Sequence, residues 1–130
     1  MKFSLAIYAA PYSSQASATA LKFTQTLLAD GHEVYRVFFY GDGVHNGSKL
    51  TSPPQDEVNL YLDWQVLAEQ HSLDLVVCIA AALRRGILDQ SEAKRYEKEF
   101  DNLGAPFELS GLGQLVDACV NSDRVITFGA

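Results

Sequence analysis

Short apolar runs alternate along the chain with segments whose apolar residues recur at helical spacing. Five runs are predicted strands because of their length and their branched and aromatic residues; they cover residues 3–9, 33–39, 75–79, 107–109 and 125–128. The segments between them predict helices whose apolar faces contain Ala16, Ala20, Phe23 and Leu27; Leu60, Trp64 and Leu67; Ala93, Tyr96 and Phe100; and Leu112, Leu115, Val116 and Cys119. Alternating strands and helices predict an α/β domain with a doubly wound, mostly parallel five-stranded sheet and helices on both faces.

Local signals place several boundaries of these elements. A serine after Pro11 can cap the first helix, and Gly31 suits its end. Asp56 and Glu57 favour the first turn of the second helix. The connection from 41 to 55 is long for a compact α/β unit, so it is either a functional segment or a tolerated insertion.

Composition limits the classes of protein that fit. With 130 residues and 48% hydrophobic content, the chain predicts one domain, residues 1–130. The net charge of -6 gives no broad electrostatic reason to bind nucleic acid or an anionic membrane. Two separated cysteines and unclustered histidines suggest neither a disulfide framework nor a zinc metal site. We expect no cofactor, and the sparse cysteines fit a reducing cytoplasm. The start of the chain imitates a secretory signal, although its removal would delete the first strand.

Cys78 is the candidate for chemistry because it lies between the third predicted strand and an Ala-rich helical segment that contains Arg84 and Arg85. Ligands and catalytic groups gather at that edge of an α/β sheet. Amides at a helix start and nearby arginines favour a thiolate. The alternative is a small apolar side chain filling the core. Cys119 shares the helical spacing of the last apolar face and is therefore predicted to be buried.

Other chemistries fit the residues less well. Cys78 and Arg84 have the spacing of a phosphatase loop, but residues 79–83 lack glycine and favour a helix. A thiol hydrolase would need a histidine base, and His45 could reach Cys78 from the neighbouring loop. The glycine pair at 41 and 43 completes no nucleotide motif, so turn formation and close packing explain it better.

Several stretches together resemble the DsrE/TusD family of sulfur-relay proteins over the whole chain. They are residues 29–33, 37–40, 43–44, 50–53, 78–86, 109–113 and 122–125. The DsrE branch, a component of the DsrEFH complexes of sulfur-oxidising bacteria, looks most similar, and the TusD branch, which serves tRNA thiolation, is its close relative.

The resemblance implies a sulfurtransferase in which Cys78 carries a persulfide and passes its outer sulfur to a partner cysteine. It also implies a cytoplasmic heterohexamer with DsrF- and DsrH-like subunits, two copies of each chain, a DsrC/TusE-type acceptor and a TusA-type donor. Arg84, Arg85 and His45 are the candidates to support the thiolate or the acceptor. The residues leave open sulfur oxidation, tRNA thiolation and a non-catalytic assembly role, with phosphatase chemistry as a remote alternative.

Overall fold

A computed structural model describes residues 1–130. The strands are β1 (Lys2–Ile7), β2 (Glu33–Phe39), β3 (Leu75–Cys78), β4 (Glu108–Ser110) and β5 (Arg124–Phe128). The helices are α1 (Ala16–Ala29), α2 (Leu60–His71), α3 (Ile79–Arg84), α4 (Gln90–Arg95) and α5 (Gly113–Asn121). A 3-10 helix, Gly41–Gly47, occupies the first half of the long connection after β2. None of the helices is both long and apolar enough to cross a bilayer.

The five strands form one sheet in the order β4-β3-β2-β1-β5, and every neighbouring pair is parallel. The predicted α/β fold is therefore confirmed, with a fully parallel sheet. From β1 to β4 each strand is added on the same side, whereas β5 returns to the other side of β1. Right-handed crossovers therefore place α1 and α2 on one face of the sheet and α5 on the other.

Apolar packing is densest between the sheet and the pair α1 and α2. Trp64 and Phe39 are fully buried and meet edge to face, with ring centroids 5.5 Å apart. Phe107 extends this aromatic group from the segment before β4. The predicted apolar faces of the first two helices supply much of the remaining core, as their helical spacing indicated.

Polar contacts anchor α5 to the other face of the sheet. The Arg36 guanidinium donates to Asp74 at 2.7 Å, to Asp117 at 3.0 Å and to the Gln114 carbonyl oxygen at 2.8 Å. The Tyr35 hydroxyl donates to the same Asp117 carboxylate at 2.7 Å. Asp117 of α5 is therefore held toward the sheet, next to Ala118, which is fully buried.

This orientation corrects the prediction for the last helix. Cys119 is exposed, and Leu112 and Val116 are 50% and 62% exposed. Of the four predicted residues, only Leu115 is partly buried and packs against the core. Apolar spacing alone predicted the opposite orientation for most of this face. It failed because Arg36 on β2 binds Asp117 and thereby turns the side of α5 with Asp117 and Ala118 toward the sheet.

Two further boundaries differ from the predictions. α4 ends at Arg95, so Tyr96 and Phe100 lie beyond it and are 52% and 77% exposed. α2 begins at Leu60, because the Asn59 side chain accepts a hydrogen bond from the Leu62 amide and caps the helix there.

Replacing Asp117 with asparagine should weaken the fold at pH 7 and flatten its loss of stability in acid. The hydrogen bonds from Tyr35 and Arg36 hold the pKa of Asp117 below its ordinary value of 3.8. The folded state therefore gains stability that is fully present above the unfolded-state pKa and lost as pH falls through the lower folded-state pKa. Urea midpoints from pH 7 to pH 2 measure this, with the exposed Asp56→Asn as control. Equal acid sensitivity in both variants would contradict it.

Candidate functional site

The register of the sheet determines which way Cys78 points. Phe39 on β2 is paired with Val77 on β3, and Phe39 contacts Trp64 of α2. Successive strand residues point to opposite faces, so Cys78 points to the face that carries α5. It is also paired with Ser110 at the end of β4. The thiol thus lies at the carboxyl edge of the sheet, as predicted, on the face covered by a single helix.

A cavity of about 240 Å³ opens beside Cys78. Its wall combines the carboxyl ends of three strands with the helix that follows Cys78; the lining residues are Tyr40, Cys78, Ile79, Ala80, Arg84, Gly111 and Leu112. Cys78 is only 3% exposed, so very little of it meets solvent even where it lines this cavity.

The two arginines after Cys78 have different surroundings. Arg84 is exposed and lines the cavity. Arg85 turns away, because its guanidinium donates to Asp42 at 2.7 Å and to the Ala81 carbonyl oxygen at 3.1 Å. The hydrogen bond from Arg85, and secondarily its charge, hold the pKa of Asp42 below its usual range. Arg84 is thus the arginine that faces the cavity, and Arg85 ties α3 to the 3-10 helix.

His45 lies in that 3-10 helix and is half-buried. It does not line the Cys78 cavity. Its charge adds a smaller contribution to the lowered pKa of Asp42. The sequence placed His45 on the correct neighbouring connection, but the structure gives it no position beside the thiol.

The segment after Cys78 is helical, as its composition predicted. Residues 79–84 form α3 directly after the strand. A phosphatase loop instead curls so that its backbone amides surround an oxyanion. Cys78 therefore directly precedes a helix, and Arg84, at the end of that helix, lines the cavity. The residues between them form no loop that could surround a phosphate.

A larger cleft of about 660 Å³ lies between the starts of α1 and α2. Its wall includes Tyr12, whose hydroxyl donates to the Val58 carbonyl oxygen at 2.7 Å. None of the residues predicted for chemistry lines this cleft. Of these two, the smaller cavity is the better candidate because it is the one lined by a cysteine.

Sequence reasoning did not assign Tyr40 or Leu112 to the candidate site, although both line the Cys78 cavity. Each follows closely after a strand, Tyr40 after β2 and Leu112 after β4. Their position was available in the sequence, because β2 and β4 are the neighbours of β3 in a sheet of sequential parallel strands. Their role as cavity walls depends on side-chain packing, which the pattern did not contain.

Comparisons with known proteins give one consistent family. The model of the DsrE/DsrF-like family matches residues 1–128. A protein of Allochromatium vinosum, named as a sulfurtransferase DsrE, is 52% identical to this chain over 129 residues, which cover 99% of each chain. A sulfurtransferase TusD homolog of Pseudomonas aeruginosa is also 52% identical, covering 99% of this chain and 98% of its own. The crystal structure of the ychN protein from E. coli has the same fold, with a TM-score of 0.79 at 20% identity over 98% of this chain and 99% of its own.

Proposed function

Because the chain belongs to the DsrE/DsrF-like family, we propose that it is a sulfurtransferase subunit of a sulfur relay, which carries sulfur as a persulfide on Cys78. The observation that carries this proposal is the cavity beside a buried thiol at the carboxyl edge of the sheet. A sulfur–sulfur bond is about 2 Å long, so the outer sulfur of a Cys78 persulfide extends into this cavity. The surrounding wall shields the persulfide from bulk thiols and oxidants, with which it would otherwise exchange or react.

The transfer proceeds in two displacements. The Cys78 thiolate attacks the outer sulfur of a donor persulfide, the donor sulfur–sulfur bond breaks, and the donor cysteine leaves as a thiolate. An acceptor thiolate then attacks the outer sulfur on Cys78, which leaves as a thiolate in its turn. One sulfur atom moves, no net oxidation occurs, and the chain returns to its starting state.

The partners we propose follow from the family resemblance. DsrF- and DsrH-like subunits would complete a heterohexamer, a TusA-type protein would donate sulfur and a DsrC/TusE-type protein would accept it in the cytoplasm. Relatives named for DsrE and for TusD are equally similar at 52% identity, so bacterial sulfur oxidation and tRNA thiolation are both compatible with the chain. We favour sulfur oxidation on the segments that resemble the DsrE branch.

The direct test is to incubate the purified protein with a persulfide donor, block exposed sulfur with an alkylating reagent and identify the modified peptide by mass spectrometry. The expected result is one added sulfur atom on Cys78. An unmodified Cys78 in protein that still passes sulfur from donor to acceptor would refute the proposal.

Arg84 should attract anions to the cavity, and Arg85 should not. With Cys119 replaced by serine, Arg84→Gln should lower the rate at which anionic iodoacetate alkylates Cys78, relative to neutral iodoacetamide. We expect about fivefold, the size of one unit-charge interaction at a few ångströms in water. Arg85→Gln is the matched control, because Asp42 already neutralises that guanidinium. An equal change of the iodoacetate rate in both variants would contradict the prediction that Arg84, and not Arg85, attracts anions to the cavity.

A further inference from the structure

Two tyrosines stand in line with Cys78 at the carboxyl edge of the sheet. The last pair that joins β1 to β2 and the last pair that joins β2 to β3 share Phe39. The residues directly after these pairs are therefore level with one another; they are Tyr8, Tyr40 and Cys78. Tyr40 has an extended backbone, so its side chain points away from that of Phe39, to the same face as Cys78. Adjacent strands lie about 4.8 Å apart, which makes Tyr40 the immediate neighbour of Cys78 on the β2 side.

The ring of Tyr40 is held in place by that of Tyr8. Their centroids are 5.5 Å apart, and the rings meet edge to face at 63°. The Tyr40 amide also donates to the Ile7 carbonyl oxygen at 3.0 Å, which anchors its backbone to β1. Tyr8 thus packs against the ring from the β1 side. Tyr40 forms part of the wall of the Cys78 cavity, which Tyr8 does not line.

The hydroxyl of Tyr40 makes no hydrogen bond within the protein. The hydroxyls of Tyr12, Tyr35 and Tyr61 each donate to a protein oxygen. Tyr40 is half-buried, yet its hydroxyl binds neither such an oxygen nor the Cys78 thiol. A phenolic hydroxyl is a good hydrogen-bond donor, so this one is free to bind a group inside the cavity.

A charged sulfur atom in this cavity needs such a donor. A persulfide is a stronger acid than a thiol, so its outer sulfur carries negative charge at neutral pH. An anion enclosed by apolar groups is stable only where hydrogen-bond donors replace the water it has lost. Apart from the thiol, Tyr40 and Arg84 are the lining residues whose side chains donate hydrogen bonds. Arg84 is exposed, so solvent screens its charge, whereas Tyr40 is half-buried beside the thiol.

Building on the proposed function, we propose that the Tyr40 hydroxyl donates a hydrogen bond to the outer sulfur of the Cys78 persulfide and thereby stabilises the loaded state. The tyrosine side chain is longer than that of cysteine by an aromatic ring, so from a level position its hydroxyl lies beyond the thiol. The added sulfur extends the Cys78 side chain by about 2 Å and brings it within reach. The contact therefore forms on loading. The sulfur–sulfur bonds that form and break remain those of the two displacements above, and Tyr40 keeps its proton.

Loading equilibria test this hydrogen bond. In a Cys119→Ser parent protein, mass spectrometry measures the fraction of Cys78 with one added sulfur in mixtures of cysteine persulfide and cysteine at fixed ratios. Tyr40→Phe should lower the loading equilibrium constant about tenfold, the size of one hydrogen bond to a charged group. Tyr8→Phe is the matched control, because it removes a hydroxyl from the same ring pair outside the cavity wall. This control should load as the parent does.

The reactivity of the unloaded thiol separates this role from a structural one. Iodoacetamide should alkylate unloaded Cys78 at the same rate in Tyr40→Phe and in the parent, because the hydroxyl makes no hydrogen bond to the thiol. An unchanged loading constant in Tyr40→Phe, an equal fall in Tyr8→Phe, or a parallel fall in the alkylation rate would overturn the inference. A parent protein that takes up no sulfur would refute the proposed function as well. A parent that loads, with Tyr40→Phe equal to it, would refute the hydrogen bond alone.

Discussion

Replacing Cys78 with serine should abolish sulfur loading and reduce donor-to-acceptor transfer to the rate seen without the protein. A hydroxyl is not ionised at neutral pH and cannot form a persulfide, so the variant lacks both the nucleophile and the carrier. Its fold should persist, because serine is close to cysteine in volume and the site borders a cavity that can supply water to the hydroxyl. Transfer of labelled sulfur from a persulfide donor to an acceptor thiol measures the loss.

Cys119→Ser is the internal control. Cys119 is exposed, so small donors can modify it directly, and its modification alone is no sign of function. We expect the variant to lose that side reaction and to keep normal transfer. If Cys78→Ser kept normal flux, the chain would instead be an assembly subunit whose partners hold the reactive thiols. If Cys119→Ser lost sulfur transfer, Cys119 rather than Cys78 would be the sulfur carrier.

The contrast between the two cysteines shows what sequence patterns can and cannot predict. The order of strands and helices was predictable because each element has its own apolar period. The exposure of Cys119 was not predictable, because the orientation of α5 depends on Arg36, which comes from β2, far away in sequence. Helical spacing identifies an apolar face but does not state whether this chain covers it.

For the candidate site, the position of Cys78 in the fold was predictable from the sequence, whereas the surroundings of its side chain were not. A strand followed by a helix places Cys78 at the carboxyl edge of a parallel sheet, and the adjoining strand ends are then its neighbours. Arg84 and Arg85 are adjacent in sequence and equivalent in charge, so only the position of Asp42 distinguishes them. The cavity beside the thiol is lined by residues that follow three different strands, so its shape depends on packing that the sequence pattern does not contain.

Gly43→Ala should destabilise the protein more than any other single methyl group added at a glycine on this edge of the sheet. A Cβ at position 43 would clash with the Ile7 carbonyl oxygen and lie 2.9 Å from its carbon. Both atoms belong to the backbone at the end of β1, an interior strand of the sheet, so neither can move alone. We expect a loss of about 3 kcal/mol, the upper part of the usual range for overpacking.

Thermal and urea unfolding measure this loss, and Gly113→Ala is the matched control, because a Cβ at Gly113 meets no atom within 4 Å. The control should be neutral or slightly stabilising, since alanine favours a helix more than glycine. Because the 3-10 helix of Gly43 follows Tyr40 directly and carries the Asp42 partner of Arg85, the variant should also load Cys78 poorly at temperatures where it remains folded. A Gly43→Ala protein as stable as Gly113→Ala would show that this segment does not pack against β1 as described.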